Sequence, residues 1–187
     1  MFHFTTELMV PLVAGLALFL FGMKIVEWAL YQWTGPALQQ LLRRITHTPL
    51  RGLLVGTGTT ALLQSSSAVT GITISLARSG LISLVSAIAI ALGSNIGTCI
   101  TAFIASFNCS RTSKMMAIGH FIFNIVGVLV ILPFFNYFCK LVELTSNNIL
   151  RQIANAHTLF NIYNVLLFIP FISTFTDLLG GDKFGID

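Results

Sequence analysis

Residues Arg51 to Arg78 read RGLLVGTGTTALLQSSSAVTGITISLAR, and this stretch decides the fold. Two apolar arms, Gly52 to Leu63 and Ala68 to Ala77, flank the polar run Gln64-Ser65-Ser66-Ser67, and no charge lies between the two arginines. As helices the arms are about 18 and 15 Å long at about 1.5 Å per residue. Each therefore reaches half-way across a hydrocarbon core of about 30 Å. The expectation is a re-entrant hairpin over residues 51–78 that turns at Gln64–Ser67 near the midplane. Irregular backbone at that depth persists only where it is buried in protein or lines a wet cavity. A tip of hydroxyls is costly there without a ligand. The alternative is one tilted helix over the same residues, its hydroxyls bonded back to i−4 carbonyls.

The chain of 187 residues is 55% hydrophobic and 9% charged. Soluble domains carry about 25% charged residues, so the expected class is an all-α integral membrane protein forming a single transmembrane domain over residues 1–187. The run Pro11 to Met23 does not read as a cleavable signal, because its leader holds Glu7, no Lys or Arg, and no small-residue cleavage site follows. A formal charge of +4 reports membrane-flanking residues rather than nucleic-acid binding. Cys99, Cys109 and Cys139 form an odd, unpatterned set, which speaks against a disulfide framework or a metal site. No Asp or Glu falls between Trp28 and Val142. Proton-coupled carriers relay through membrane Asp, Glu or His, so a metal cation held by neutral oxygens is the better-fitting coupling ion.

In chain order, residues 8–30 form a first span, with Lys24 and Glu27 near its end and an aromatic belt at Trp28, Tyr31 and Trp33. Residues 36–47 form an interfacial helix: Leu38, Leu41, Leu42 and Ile45 oppose Gln39, Gln40, Arg43 and Arg44. After the hairpin, residues 80–107 are long enough to span. Gly93-Ser94-Asn95-Ile96-Gly97-Thr98 interrupts them, and the expectation is a broken helix. An intact helix packed closely on a neighbour through its glycines is the alternative. Further spans cover residues 114–136 and 150–173.

Those last two spans repeat one another. Residues 117–134 and 154–171 share Ala-x-x-His-x-x-Phe-Asn-Ile-x-x-Val-Leu-x-x-x-Pro-Phe, displaced by 37 positions. Consecutive spans run antiparallel, so the copies are related by inversion, as in many transporters. His120 with Asn124, and His157 with Asn161, share a helix face at i, i+4. They are expected to hydrogen-bond neighbouring helices rather than to touch a ligand directly. Arg43, Arg44, Arg51, Arg78, Lys140 and Arg151 fall on one side of this arrangement, against Arg111, Lys114 and Lys183 on the other. The positive-inside rule makes the first side cytoplasmic, giving four crossings, one hairpin and both termini outside.

Ser65 to Ser67 are placed to cap the returning arm, whose free N–H groups and positive dipole end favour an anion. The carbonyls of Ala61 to Leu63, ending the descending arm, suit a cation. Ser94, Asn95 and Thr98 offer the same chemistry at the expected second break. With no Lys or Arg deep in either element, an anion must lean on helix ends, hydroxyls and a co-bound cation, which couples the two ligands.

Gln64-Ser-Ser-Ser67, Gly80-Leu-Ile-Ser-Leu and Gly93-Ser-Asn-Ile-Gly-Thr98, with the paired Ala-x-x-His-x-x-Phe-Asn helices, resemble the type II sodium–phosphate cotransporter family, particularly its bacterial members. The resemblance runs from about Leu8 to Phe171. It implies sodium-coupled symport of inorganic phosphate by an inverted-repeat core in the cell membrane, the bacterial inner membrane for such members. Two hairpins tipped with Gln-Ser-Ser-Ser hold the ligands. It further implies that Gln64, Ser65, Ser66 and Ser67 are tip ligands, with Asn95 and Thr98 beside them. Sodium would be held by Gln64, Ser65, Ser66 and Asn95. Thr59, Thr60, His120, Asn124, His157 and Asn161 are secondary polar contacts, and sodium is the one coupling ion, with no other cofactor. Ser94 and Cys99 depart mildly from the family's Ala and Thr. Only one Gln-Ser-Ser-Ser is present, and the soluble C-terminal domain common in bacterial members is missing. The chain therefore looks like one repeat, half of a two-fold site, expected to work as a homodimer or with a second repeat-like chain.

Two other readings fit less well: within transport, another oxyanion or carboxylate as substrate; outside it, a non-transporting accessory or assembly subunit. An intramembrane serine hydrolase using Ser65 with His120 or His157 needs one nucleophile poised beside a base. Three adjacent serines look instead like a polydentate ligand, so no enzyme is expected.

Overall fold

The computed structural model describes residues 2–33 and 35–179; the side chains of residues 2–6, 27, 30, 31, 33, 38 and 178 lie outside that description. Among the described residues the chain is helical throughout. The helices are α1 (Phe2–Trp33), α2 (Pro36–Ile45), α3 (Pro49–Leu63), α4 (Ser66–Arg78), α5 (Leu84–Ala105), α6 (Arg111–Ile131), α7 (Phe135–Leu144), α8 (Ile149–Phe168) and α9 (Ile172–Leu178). Among the described residues four stretches are long and apolar enough to cross a membrane: Glu7–Val26, Leu84–Asn108, Arg111–Leu144 and Ile149–Asp177.

Local chemistry sets the boundaries. Pro36 and Pro49 occupy first turns, where the missing N–H is harmless. Thr48, Ser65, Ser83, Ser110 and Asn148 cap α3, α4, α5, α6 and α8 by accepting a backbone N–H. Gly80, at φ 70, makes the turn into α5.

α5 is the axis of the bundle. Ile88 and Leu92 join one core with Val128 of α6, Val142 of α7 and Phe160 of α8. Ala87 and Ile90 join a second with Val69 of α4 and Ile153 of α8. In a bilayer such contacts gain little from leaving a lipid environment, so close packing has to hold the helices together.

The seam between α3 and α5 shows how. A Cβ built on Gly56 would collide with the backbone of Ile90, and one on Gly93 with the backbone of Leu53. A Cβ built on Gly52 would come within 2.7 Å of Ala89 Cβ, and one on Gly97 within 2.5 Å of the Thr57 carbonyl oxygen. The two helices thus meet through facing Gly-x-x-x-Gly stripes, Gly52/Gly56 on one and Gly93/Gly97 on the other. On the other side, Gly71 of α4 receives Met23 of α1, its Sδ 2.6 Å from a Cβ built there. The rest of the apolar span of α1 is exposed.

Several expectations change here. The helix over residues 51–78 does break at Gln64, which excludes the single tilted helix. The break expected at Gly93–Thr98 is absent: Leu84–Ala105 is one uninterrupted helix. Its glycines admit α3, and its polar side chains bond back to their own helix. The span expected over residues 114–136 is one part of a longer unit. A 3₁₀ turn at Leu132–Phe134, holding Pro133, leads straight into α7, which buries Phe135, Phe138, Cys139 and Val142. The same step recurs 37 residues on, where the turn Ile169–Phe171, holding Pro170, leads into α9. The repeat therefore extends to where each helix tightens. Of the aromatic belt, Trp28 is exposed, whereas the side chains of Tyr31 and Trp33, with those of Glu27 and Leu38, and all of Lys183 lie outside the described residues.

Candidate functional site

The break between α3 and α4 is made by two residues. Gln64 takes the left-handed conformation, φ 56 and ψ 24, and its N–H closes α3 on the Thr60 carbonyl at 2.7 Å. Among the described residues it alone is a non-glycine with positive φ, a conformation costing roughly 1–2 kcal/mol for an L-residue. Ser65 is extended, and its Oγ accepts the Ala68 N–H at 3.2 Å. Its carbonyl accepts the Val69 N–H at 3.1 Å.

What remains is a set of unsatisfied groups. Beyond Thr60, the carbonyls of Ala61, Leu62 and Leu63 accept no backbone N–H, and the N–H groups of Ser66 and Ser67 have no acceptor among the described residues. Nor do the side chains of Gln64, Ser66 and Ser67 find a hydrogen-bond partner there. Gln64 and Ser67 are exposed, Ser65 and Ser66 half-buried. No formal charge lies within the two helices between Arg51 and Arg78. The tip thus offers amide and hydroxyl donors at the positive end of α4, beside bare carbonyls at the negative end of α3.

The second polar patch is built differently. Ser94, fully buried, donates from Oγ to the Ala91 carbonyl at 2.7 Å, and Asn95 Nδ2 donates to the same carbonyl at 3.0 Å. Thr98 Oγ1 donates to the Ser94 carbonyl at 3.0 Å. The Oδ1 of Asn95 accepts no hydrogen bond among the described residues. Gly97 brings this patch against Thr57, Thr60 and Ala61, in the last two turns of α3 below the tip. No hydrogen bond joins Ser94, Asn95 or Thr98 to Gln64–Ser67 among the described residues.

The secondary residues divide. Thr60 is wholly buried with its Oγ1 unpartnered, while Thr59 is half-buried. Asn124 Nδ2 donates to the His120 carbonyl and Asn161 Nδ2 to the His157 carbonyl, each at 3.0 Å. Asn161 is therefore bonded within its own helix, where at i, i+4 the preceding carbonyl is the nearest acceptor, whereas Asn124 also hydrogen-bonds the Cys99 thiol of the neighbouring α5. Cys99 Sγ of α5 also reaches the His120 carbonyl of α6 at 3.5 Å.

Two features escaped the sequence reading. Thr57 Oγ1 donates to the Gly93 carbonyl at 3.0 Å, pinning the glycine seam; the Gly-x-x-x-Gly spacing on both helices was the available signal. Asn164 of α8 is wholly buried, neither of its amide atoms has a partner, and it fills the space left by Gly127 of α6. Those two positions are 37 apart, equivalent within the repeat, and only the repeat register could have paired them.

Among the described residues no group of three His, Cys, Asp or Glu could hold a metal ion. A cation here would have to rest on neutral oxygens.

The uncharacterised protein YqeW of Bacillus subtilis is 37% identical over 115 residues, covering 62% of this chain and 38% of its own length. The sodium-dependent phosphate transport protein 2A of Rattus norvegicus is 38% identical over 138 residues, 69% of this chain and 22% of its own length. Protein 2B from the same species is 44% identical over 85 residues, 43% of this chain and 12% of its own length. The chain thus spans well under half the length of these relatives. No solved structure matches it. The family model described as Na+/Pi-cotransporter matches residues 18–144. With that match over more than half of the chain and four helices able to span a bilayer, the protein is an integral membrane protein that belongs to the Na+/Pi-cotransporter family, a family of transporters and not of enzymes.

Proposed function

We propose that the chain forms half of a sodium-coupled symporter for inorganic phosphate, with the substrate held at the tip between α3 and α4. The observation that carries this reading is the break at Gln64–Ser65. It leaves the Gln64, Ser66 and Ser67 side chains and two N–H groups unpartnered at one helix end, and three carbonyls unpartnered at the other. The donors suit phosphate oxygens. The carbonyls, with Gln64, Ser65, Ser66 and the free Oδ1 of Asn95, suit sodium, which is the one coupling ion, with no other cofactor. Thr98 and Ser94 support the same site from α5. With no fixed cation nearby, phosphate binds well only when sodium offsets its charge, and that mutual dependence is the coupling.

In this reading α3 and α4 form a re-entrant hairpin that brings the tip to the middle of the bilayer, and the paired segments α6–α7 and α8–α9 are inverted copies. Leu62, Leu63 and Gln64 are exposed side by side at the tip. A ligand site needs closure on that side, and a second copy or a second repeat-like chain supplies it. The complex works in a cell membrane, the inner membrane in a bacterium.

The test is labelled phosphate uptake by proteoliposomes containing the pure chain, with and without an inward sodium gradient. Gln64→Gly keeps the positive φ that the turn requires while removing the amide. Uptake should need sodium, and Gln64→Gly and Ser66→Ala should each lower it by at least about tenfold in folded protein. Uptake driven by a pH gradient alone, or unaffected by both substitutions, would overturn the reading. Sodium-dependent uptake of another oxyanion or of a carboxylate in preference to phosphate would change the substrate. Uptake that appears only with an added second chain would make the pairing hetero-oligomeric.

A further inference from the structure

Away from the tip, a polar concavity of about 310 Å³ opens where the end of α2 meets the turn between α4 and α5. Arg43, Thr46 and His47 form one wall; Gly80, Ser83 and Ser86 form the other. Its frame is held by hydrogen bonds. Ser86 Oγ donates to the Thr46 carbonyl at 2.9 Å, tying the α2–α3 linker to the first turn of α5. Ser83 Oγ donates in turn to Ser86 Oγ at 3.0 Å, and Thr46 Oγ1 to the Leu42 carbonyl at 2.8 Å. These hydroxyls are occupied in holding the wall. Arg43 and His47 are not: both are exposed, and their side chains make no hydrogen bond or ion pair among the described residues. No carboxylate near in sequence can answer them, since residues 28–142 contain neither Asp nor Glu.

The surroundings identify the occupant. Leu41 and Ile45 of α2 are exposed, as are Leu50 and Leu54 at the start of α3. Residues two apart on a helix do not share a face, so Arg43 lies away from the layer that takes Leu41 and Ile45. With those leucines and isoleucines in acyl chains, as for an amphipathic helix lying in the interface, the concavity sits at headgroup depth. Arg44 and Arg51 add two cations nearby, the Arg51 guanidinium donating to the Arg44 carbonyl at 3.2 Å.

We propose that this concavity is a binding site for the phosphodiester headgroup of an anionic phospholipid. Arg43 and His47 hold the phosphate, and the exposed leucines of α2 and α3 accompany the acyl chains. Unpaired basic residues at this depth attract anionic headgroups, each contributing on the order of fivefold in affinity. The site is separate from the tip and does not depend on the transport reading.

Native mass spectrometry of the full chain, released from bilayer discs of phosphatidylglycerol and phosphatidylcholine in equal amounts, tests this. Retained phosphatidylglycerol should exceed phosphatidylcholine by about fivefold or more. Arg43→Ala with His47→Ala should lower the ratio by about fivefold or more without moving the melting temperature, since both side chains are exposed. Arg44→Ala, outside the concavity, should keep most of the preference. An equal loss in Arg44→Ala would mean diffuse charge attraction and would overturn the site. So would equal retention of the two lipids by the native chain. Displacement of phosphatidylglycerol by millimolar inorganic phosphate, with phosphate itself retained, would make this a free-anion site and defeat the lipid assignment.

Discussion

Gln64-Ser-Ser-Ser67 and Gly93-Ser-Asn-Ile-Gly-Thr98 are both short polar runs inside long apolar ones, yet only the first interrupts its helix. At the tip, Gln64 turns left-handed and Ser65 caps the next helix, so the break satisfies one N–H and leaves other groups bare. In α5, Ser94, Asn95 and Thr98 reach carbonyls three or four residues back, and the glycines lie against the backbone of α3. A membrane helix breaks at polar residues that can start a new helix. It stays whole where a neighbour packs on its glycines and the polar groups satisfy themselves within it. The first patch is therefore left with open groups, whereas the second packs against the last turns of α3 below it.

Substitutions can break this contrast, the most severe at the seam. Gly93→Ala drives a Cβ into the Leu53 backbone, and Gly56→Ala does the same at Ile90. Each should cost about 2–3 kcal/mol, since backbone cannot swing aside. Equilibrium unfolding in mixed micelles would measure it, and an unchanged midpoint would mean that the helices are not in contact there. Next, Ser66→Ala should lower sodium-dependent uptake by at least about tenfold, the worth of one hydrogen bond to a charged group, with an unaltered unfolding midpoint. A stability loss with intact uptake would reverse the roles given to the two patches. Ser65→Ala removes a cap and should cost about 1 kcal/mol. Gln64→Gly should stabilise by up to about 1 kcal/mol by relieving the left-handed strain. Smallest of all, Gly58→Ala should change stability by less than about 1 kcal/mol, because nothing lies within 4 Å of a Cβ at that position.

Much of this was legible in the residues. The break at 64 follows from two half-length apolar arms around hydroxyls, and the amphipathic helix at 36–45 from Leu38, Leu41, Leu42 and Ile45 at i, i+3, i+4, i+7. The 37-residue frame gave the two helices, and the structure adds matching turns at the Pro133 and Pro170 that the frame contains. The fate of Gly93–Thr98 was not legible, because glycine serves a turn and a close approach equally well. Which one it serves depends on a helix some forty residues earlier. The facing stripe Gly52-x-x-x-Gly56 carried that information but had to be read jointly with Gly93-x-x-x-Gly97. α7 was not legible for a related reason: the expected span stops at residue 136, yet Phe135, Phe138, Cys139 and Val142 continue with helical spacing behind Pro133. The direction of the Asn124 and Asn161 bonds was hidden because a shared face does not say whether a side chain reaches outward or back. The groups at the tip were legible as chemistry, since hydroxyls at a helix start and carbonyls at a helix end follow from the break alone.

The central claim is that the tip is wet and binds both ions together. Ser66→Cys, placed in a chain carrying Cys109→Ser because Cys109 is the exposed native cysteine while Cys99 and Cys139 are buried, lets a water-soluble thiol reagent report on it. Labelling of Cys introduced at that position should be fast in proteoliposomes without phosphate, and phosphate should slow it only when sodium is present. A site that never reacts, or that reacts at one rate whichever ions are present, would contradict the account.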